Sequence, residues 1–404
     1  MTAGELALWV PRILLSPLYL VSEYVIRLPL SVAIPAAESA DLPRKVYDFF
    51  AFGPEHKAGF APVGFFDFGF NPSVGLYAFW DDAGFKGDDW HAHVEAWPDQ
   101  WLAGSLTEHI QMDRHKAVQF RIEGVRRPDH VFYGLGPDTR QSEQSRYGED
   151  RFDGGGDFEW RFWRATRLAT AAGFRIWKVY DGHYGEDPNL TTEAARGAFV
   201  VPAGFGEVYT AEYNRASLVV DTRNAWPAPG SGFRTDIQAE QGSALRPSPA
   251  AGWIRYGAAT GGYLDLNQRG RVISLAVTAT FVDPIGGQPI PFTELASLGG
   301  DGPMRGYYPG RLVDRSALTG AAHYVWPIGP WLDGSLEAAV GNVFGEHLQG
   351  FRPGRLRFSG DAGVSSQGSG DFPIELIFGL GSETFEHGAT IDSIRVALSV
   401  NHGF

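Results

Sequence analysis

The chain has 404 residues, 44% hydrophobic and 20% charged, with a formal net charge of −13. Those figures exclude a disordered chain, and the acidic balance argues against nucleic acid as a partner, because phosphates need a basic face. Cysteine is absent, which removes disulfides, thiolate metal sites and thiol nucleophiles.

The most apolar stretch, Leu6–Leu30, is interrupted by Pro11, Arg12, Pro17, Glu23, Arg27 and Pro29. It is too broken for a transmembrane helix. It lacks the basic start and small-residue cleavage site of a signal peptide, so an exported protein would carry its signal outside this sequence. Two amphipathic helices are expected, Leu6–Leu15 and Pro17–Leu28, with Leu18, Val21, Val25 and Leu28 on one face. Such helices dock on a core, lie in a membrane interface or plug a pore. A Pro-rich joint, Ala33–Pro43, leads to a short helix over Arg44–Phe52. Residues 1–57 are therefore read as an N-terminal amphipathic segment, and residues 58–404 as the main domain.

From Ala58 onward, two-residue alternation dominates. Ile273, Leu275, Val277, Ala279 and Phe281 share one face; Phe233, Thr235, Ile237 and Ala239 share another; so do Ile394, Val396, Leu398, Val400 and Phe404. The runs are about 10–13 residues, longer than the strands of soluble sandwiches. Small polar residues on the opposite face suit a wet lumen. Aromatic clusters close the runs: Phe65, Phe66 and Phe68; Tyr77, Phe79 and Trp80; Trp97 and Trp101; Trp160, Phe162 and Trp163; Tyr324 and Trp326. They fit girdles at two membrane interfaces. A sheet in lipid must close on itself, so the expected fold is an all-β antiparallel transmembrane barrel. Longer polar loops are expected at Asp138–Gly156, Tyr184–Arg196 and Val282–Leu312.

One stretch carries a resemblance. Pro291–Arg311 is Gly-rich and contains Met304-Arg305-Gly306-Tyr307. Asp221-Thr222-Arg223-Asn224 and Phe132-Tyr133-Gly134-Leu135-Gly136 precede it, and Gly341-Asn342-Val343-Phe344 follows, read as a turn. The terminal Phe404 lies on an alternating strand. In this order they resemble the Omp85 superfamily, also called the bacterial surface antigen family. The resemblance is strong over about Phe205–Phe404. It implies sixteen strands, a bacterial outer-membrane location, a lumen gated by the Arg-Gly-Tyr loop, and Phe404 as the C-terminal barrel signal.

In the family the loop arginine meets carboxylates on the inner wall. Outward Leu332, Leu336, Val340 and Phe344 leave Asp333 and Glu337 pointing inward, and outward Leu318, Tyr324 and Trp326 leave Thr319 and His323 inward. Glu337, Asp333 and His323 are thus the expected latch partners of Arg305. The sequence departs from the family at Ala339 and His323, where acids are usual.

Most relatives carry POTRA domains before the barrel, and residues 1–57 leave no room for one. The family's insertion of barrel proteins and secretion of partners both receive clients through POTRA domains, so neither transfers directly. No Gly-x-Ser-x-Gly elbow exists, and no enzyme is expected. His91 and His93 share a strand face without a third ligand, so no metal or other cofactor is expected. The reading is a POTRA-less barrel for transport or membrane biogenesis, handling lipid or polypeptide. The alternatives are a passive pore and a structural surface-antigen barrel. Outer-membrane lipids, lipopolysaccharide and the barrel assembly machinery are the expected partners, with self-association left open.

Overall fold

Alternation with an apolar outer face demands closure, and the computed structural model shows it. It describes residues 45, 48–98, 101–223, 230–246, 251–266, 268–329, 332–366 and 374–399. The two amphipathic helices, Asn224 and Phe404 lie outside the described residues. The first strands are β1 (Ala58–Asp67), β2 (Ser73–Trp80), β3 (Asp88–Trp97) and β4 (Trp101–Gln111). Then come β5 (Lys116–Phe132), β6 (Ser145–Trp163), β7 (Thr166–Asp181) and β8 (Val208–Asp221). The third quarter is β9 (Gly232–Arg246), β10 (Gly252–Asp265), β11 (Val272–Ile285) and β12 (Ser316–Pro327). The last is β13 (Leu332–Phe344), β14 (Arg357–Ser366), β15 (Glu375–Thr384) and β16 (Ile391–Ser399). Each pairs antiparallel with the next, and β16 returns to β1, closing a sixteen-stranded barrel. A two-residue strand, Ala51–Phe52, pairs with Gly59 and Ala58. Among the described residues no helix is long and apolar enough to cross a membrane.

Strand lengths run from 8 to 19 residues, a wider spread than expected. Asp138–Gly156 is not one long loop; most of it is β6. Its Gly154-Gly155-Gly156 run lies in the middle of that strand. A Cβ on Gly155 would lie 2.6 Å from the Tyr213 hydroxyl, and one on Gly156 would lie 3.0 Å from the Phe120 ring. These glycines make room for rings on neighbouring strands. Gly341–Phe344 completes β13 instead of turning, and Leu190–Ala195 forms a short helix inside the Tyr184–Arg196 loop.

The outward face is apolar where expected: Phe233, Ile237, Ile273, Leu275, Val277, Ile394 and Leu398 are exposed. Trp80, Trp160, Phe162 and Trp163 are exposed toward one end, and Phe66, Phe68 and Trp97 toward the other. Phe65, Tyr77 and Trp101 correct the girdle assignment, because they are buried. The Arg127 guanidinium lies 5.9 Å from the Phe65 ring and 5.9 Å from the Trp101 ring.

One end of the barrel has short turns, such as 112–115 and 164–165. The other has the long loops 133–144, 182–207, 286–315 and 345–356. The closing joint is short among the described residues: β16 meets β1 only at Ala397–Asp67, Leu398–Phe66 and Ser399–Phe65.

Candidate functional site

Loop 286–315 does not stay outside. It folds into the lumen as a 3-10 turn at Phe292–Glu294 and a two-stranded ladder, Ala296–Leu298 against Leu312–Asp314. Leu298, Met304, Tyr307 and Leu312 are buried in one apolar cluster with wall residues Tyr209, Ala211, Ala317, Ala339 and Val343. The lumen wall supplies more than half of that cluster and the loop the rest, so the loop is a packed plug.

Small residues let the plug reach the wall. A Cβ on Gly306 would fall 2.0 Å from the Leu380 carbonyl oxygen, and one on Gly381 would fall 2.5 Å from the Tyr307 ring. The Gly306 amide donates to Ser359 Oγ at 2.9 Å, and its carbonyl accepts from Ser393 Oγ at 2.8 Å. The Tyr307 hydroxyl donates to the Ser382 carbonyl at 2.6 Å and accepts from the Ser382 amide at 2.8 Å. Burial pushes the Tyr307 phenol up to about 12, so it keeps its proton as a donor.

Charge pins the loop at four places. The Glu294 carboxylate, fully buried, meets Arg175 Nη1 at 3.0 Å, Arg255 Nη2 at 3.2 Å and the Tyr209 hydroxyl at 2.9 Å. Arg311 donates to Thr139 Oγ1 at 2.7 Å and stacks 4.1 Å from the Tyr133 ring. Arg305 Nη2 lies 2.8 Å from Glu375 Oε1 on β15. Arg395, on β16, donates to the Gly300 carbonyl at 2.6 Å and reaches Asp301 at 3.2 Å. Its Nε also bonds Asp67 on β1 at 2.8 Å, and both partners are fully buried. Arg395 therefore ties the loop tip to the closing joint.

Met304, Arg305, Gly306 and Tyr307 all lie in the plug, but Arg305 takes a partner other than those expected. Its ion pair is with Glu375, not with Glu337, Asp333 or His323. Glu337 and His323 are register partners on β13 and β12, and Glu337 feels the Arg305 charge without an ion pair to it. Asp333 sits four residues from Glu337, toward the turn end. Glu375 was legible: outward Leu376 and Phe378 flank Ile377, which puts Glu375 inward. Arg395 was equally legible between outward Ile394 and Val396. Glu294 carried no such signal, because parity does not extend into a loop. His93 faces inward and pairs with Glu95 at 2.8 Å.

The Omp85 superfamily domain matches residues 118–380. No curated protein matches the sequence directly. The structure is similar to BamA from Haemophilus ducreyi lacking POTRA domains 1–3, with a TM-score of 0.58 and 13% identity over 85% of this chain and 70% of that one. It is similar to CdiB from Acinetobacter baumannii, with a TM-score of 0.52 and 9% identity over 85% of this chain and 59% of that one. CdiB from Escherichia coli gives 0.53 and 13% over 86% of this chain and 64% of that one. The chain thus spans less than two thirds of either CdiB. With the domain matching well over half of its length, and the Arg-Gly-Tyr loop folded into a closed barrel, this chain belongs to the Omp85 superfamily of outer-membrane β-barrels.

Proposed function

We propose that this barrel serves transport or membrane biogenesis, moving lipid or polypeptide, and that the 286–315 loop and the β16–β1 joint act together as its gate. The observation that carries this is Arg395, which bonds the loop tip at Gly300 and the first strand at Asp67 in one side chain. A barrel needed only as a wall has no use for an arginine shared between its plug and its closing joint. Arg305 with Glu375 is the releasable part of the latch, because both retain some exposure, whereas Glu294 is wholly enclosed. Phe404 acts as the assembly signal, and the described barrel faces lipid along its apolar wall. Lipid, lipopolysaccharide and the assembly machinery are its partners in this reading.

Planar-bilayer recording of the purified protein tests it. A plugged gate gives a nearly silent trace that becomes noisy and larger when Arg305 is replaced by alanine. Large, steady unitary currents from the unaltered protein favour a passive pore instead. Silence in both proteins favours a structural barrel.

A further inference from the structure

The plug loop has a neck. Asp283 lies near the end of β11, and Arg315 is the last residue of loop 286–315. The Val282 amide donates to the Arg315 carbonyl at 2.8 Å, and Arg315 Nε donates back to the Val282 carbonyl at 3.3 Å. The two stems of the loop are thus held together where the wall ends. Glu346 and His347, in the loop that follows β13, come to the same point. Ser316 Oγ donates to the Gly345 carbonyl at 2.6 Å and accepts from the Leu348 amide at 3.0 Å, which fixes the backbone on both sides of that pair.

Asp283, Glu346 and His347 each bring one ligand atom to within 4.8 Å of the others. His347 Nε2 lies 2.9 Å from Asp283 Oδ2, and the Tyr256 hydroxyl lies 3.0 Å from that oxygen and 3.1 Å from that nitrogen. Phe281 packs against both rings, with centroids 5.4 Å from Tyr256 and 6.1 Å from His347. Phenol, carboxylate and imidazole, from β10, β11 and a loop, therefore make a close triangle. Hydrogen bonds cannot fill it. Nε2 either donates or accepts, never both, so one side is always left without a proton of its own. A cation satisfies all three sides at once. Atoms that lie about 2.0–2.2 Å from a zinc-sized ion stand roughly 3–3.5 Å apart, close to the spacing found.

Arg315 does not take this point. It bonds the other carboxylate oxygens, Asp283 Oδ1 at 3.1 Å and Glu346 Oε2 at 2.9 Å. Asp283 Oδ2 and Glu346 Oε1 are the oxygens on the imidazole side. Carboxylates that ligate an ion are themselves held by hydrogen bonds from outside. Arg315 supplies that hold and cancels one of the two negative charges.

We propose that Asp283, Glu346 and His347, with the Tyr256 hydroxyl alongside, bind one divalent ion of the zinc class, and that this ion fastens loop 345–356 across the neck of the plug loop. An imidazole nitrogen among the donors selects against Mg²⁺ and Ca²⁺, which take oxygen.

The test uses the full, untagged chain in detergent, stripped with a chelator and titrated with ZnCl₂ alone. Native mass spectrometry gives the stoichiometry and calorimetry the affinity. Chymotrypsin cleavage after the exposed Phe351 reads the state of the loop. One ion per barrel is expected, with cleavage slowing several-fold as it binds, and a large excess of MgCl₂ should leave it in place. His347→Ala and Asp283→Asn should each weaken binding about tenfold or more and remove the protection, while His91→Ala changes neither. Two variants on different elements keep the test open if one fails to fold. Absence of stoichiometric binding overturns the proposal. So does binding that survives both variants or is lost in His91→Ala. Displacement by MgCl₂ also overturns it, because acids alone would then be taking a hard ion, and so does cleavage that zinc leaves unchanged.

Discussion

The wall around β5–β7 and the joint between β16 and β1 are built from the same alternating pattern, yet they differ sharply in what holds them. β6 pairs with β5 from Lys116 to Phe132 and with β7 from Thr166 to Asp181, and cross-strand ion pairs such as Arg126–Asp150 and Arg151–Glu123 add to those ladders. Among the described residues, the joint shows three register positions and one fully buried ion pair, Arg395 with Asp67. Both regions also hold the plug through an arginine: Arg175 of β7 meets Glu294, and Arg395 of β16 grips the loop tip while bonding Asp67 across the joint. Local opening is expected at the joint, where the loop tip and the two closing strands share the Arg395 side chain, before it occurs in the β5–β7 wall.

Substitutions break this comparison by different amounts. The largest effect is expected from Glu294→Ala, which removes the buried carboxylate that Arg175 and Arg255 share and leaves them only the more distant Asp153 and Glu240. Breaking a buried ion pair costs about 3–5 kcal/mol, so chemical unfolding in detergent should shift to lower denaturant. Asp67→Ala leaves Arg395 unpaired and should cost about 3 kcal/mol by the same reasoning. Its signature is local: amide exchange should rise in β1 and β16 and stay unchanged in β6 and β7. An equal rise everywhere would erase the proposed difference between the two regions.

Tyr307→Phe is milder. It leaves the Ser382 amide without its partner, for about 1–3 kcal/mol, and should expose the loop to protease before it affects the barrel. The smallest stability change belongs to Arg305→Ala, about 1 kcal/mol for a partly exposed pair, with faster cleavage near Tyr307–Arg311. Glu375→Ala should match it, and the double variant should be little worse than either. Additive effects would mean that the two residues do not act as a pair.

The wall was legible because period two survives wherever one face meets lipid and the other a lumen. Phe233–Ala239 and Ile273–Phe281 fall on the outer face as their alternation requires. Asp138–Gly156 looked like a polar loop because glycine in a strand and glycine in a loop are alike until the ring that fills the space is known, as at Gly155 and Gly156. The plug was visible only through its resemblance to a family, since Pro291–Arg311 has no period. Parity named inward acids on β13 but could not rank them against Glu375, because which acid meets Arg305 depends on how far the loop descends. Glu294 depends on the same depth. The reading of Phe404 and of the two N-terminal helices concerns residues outside those described.

The central claim is that the loop tip and the closing joint move together. The chain has no cysteine, so Phe66→Cys with Leu398→Cys, a register pair across the joint, reports its closure by disulfide yield without background. Tyr307→Ala should pull the loop tip away from Arg395. In that variant the yield across the joint should fall, while a matched pair between β6 and β7 stays fully linked. An unchanged yield, in a variant whose loop has become protease-sensitive, would show that the joint closes without the plug and would contradict the account.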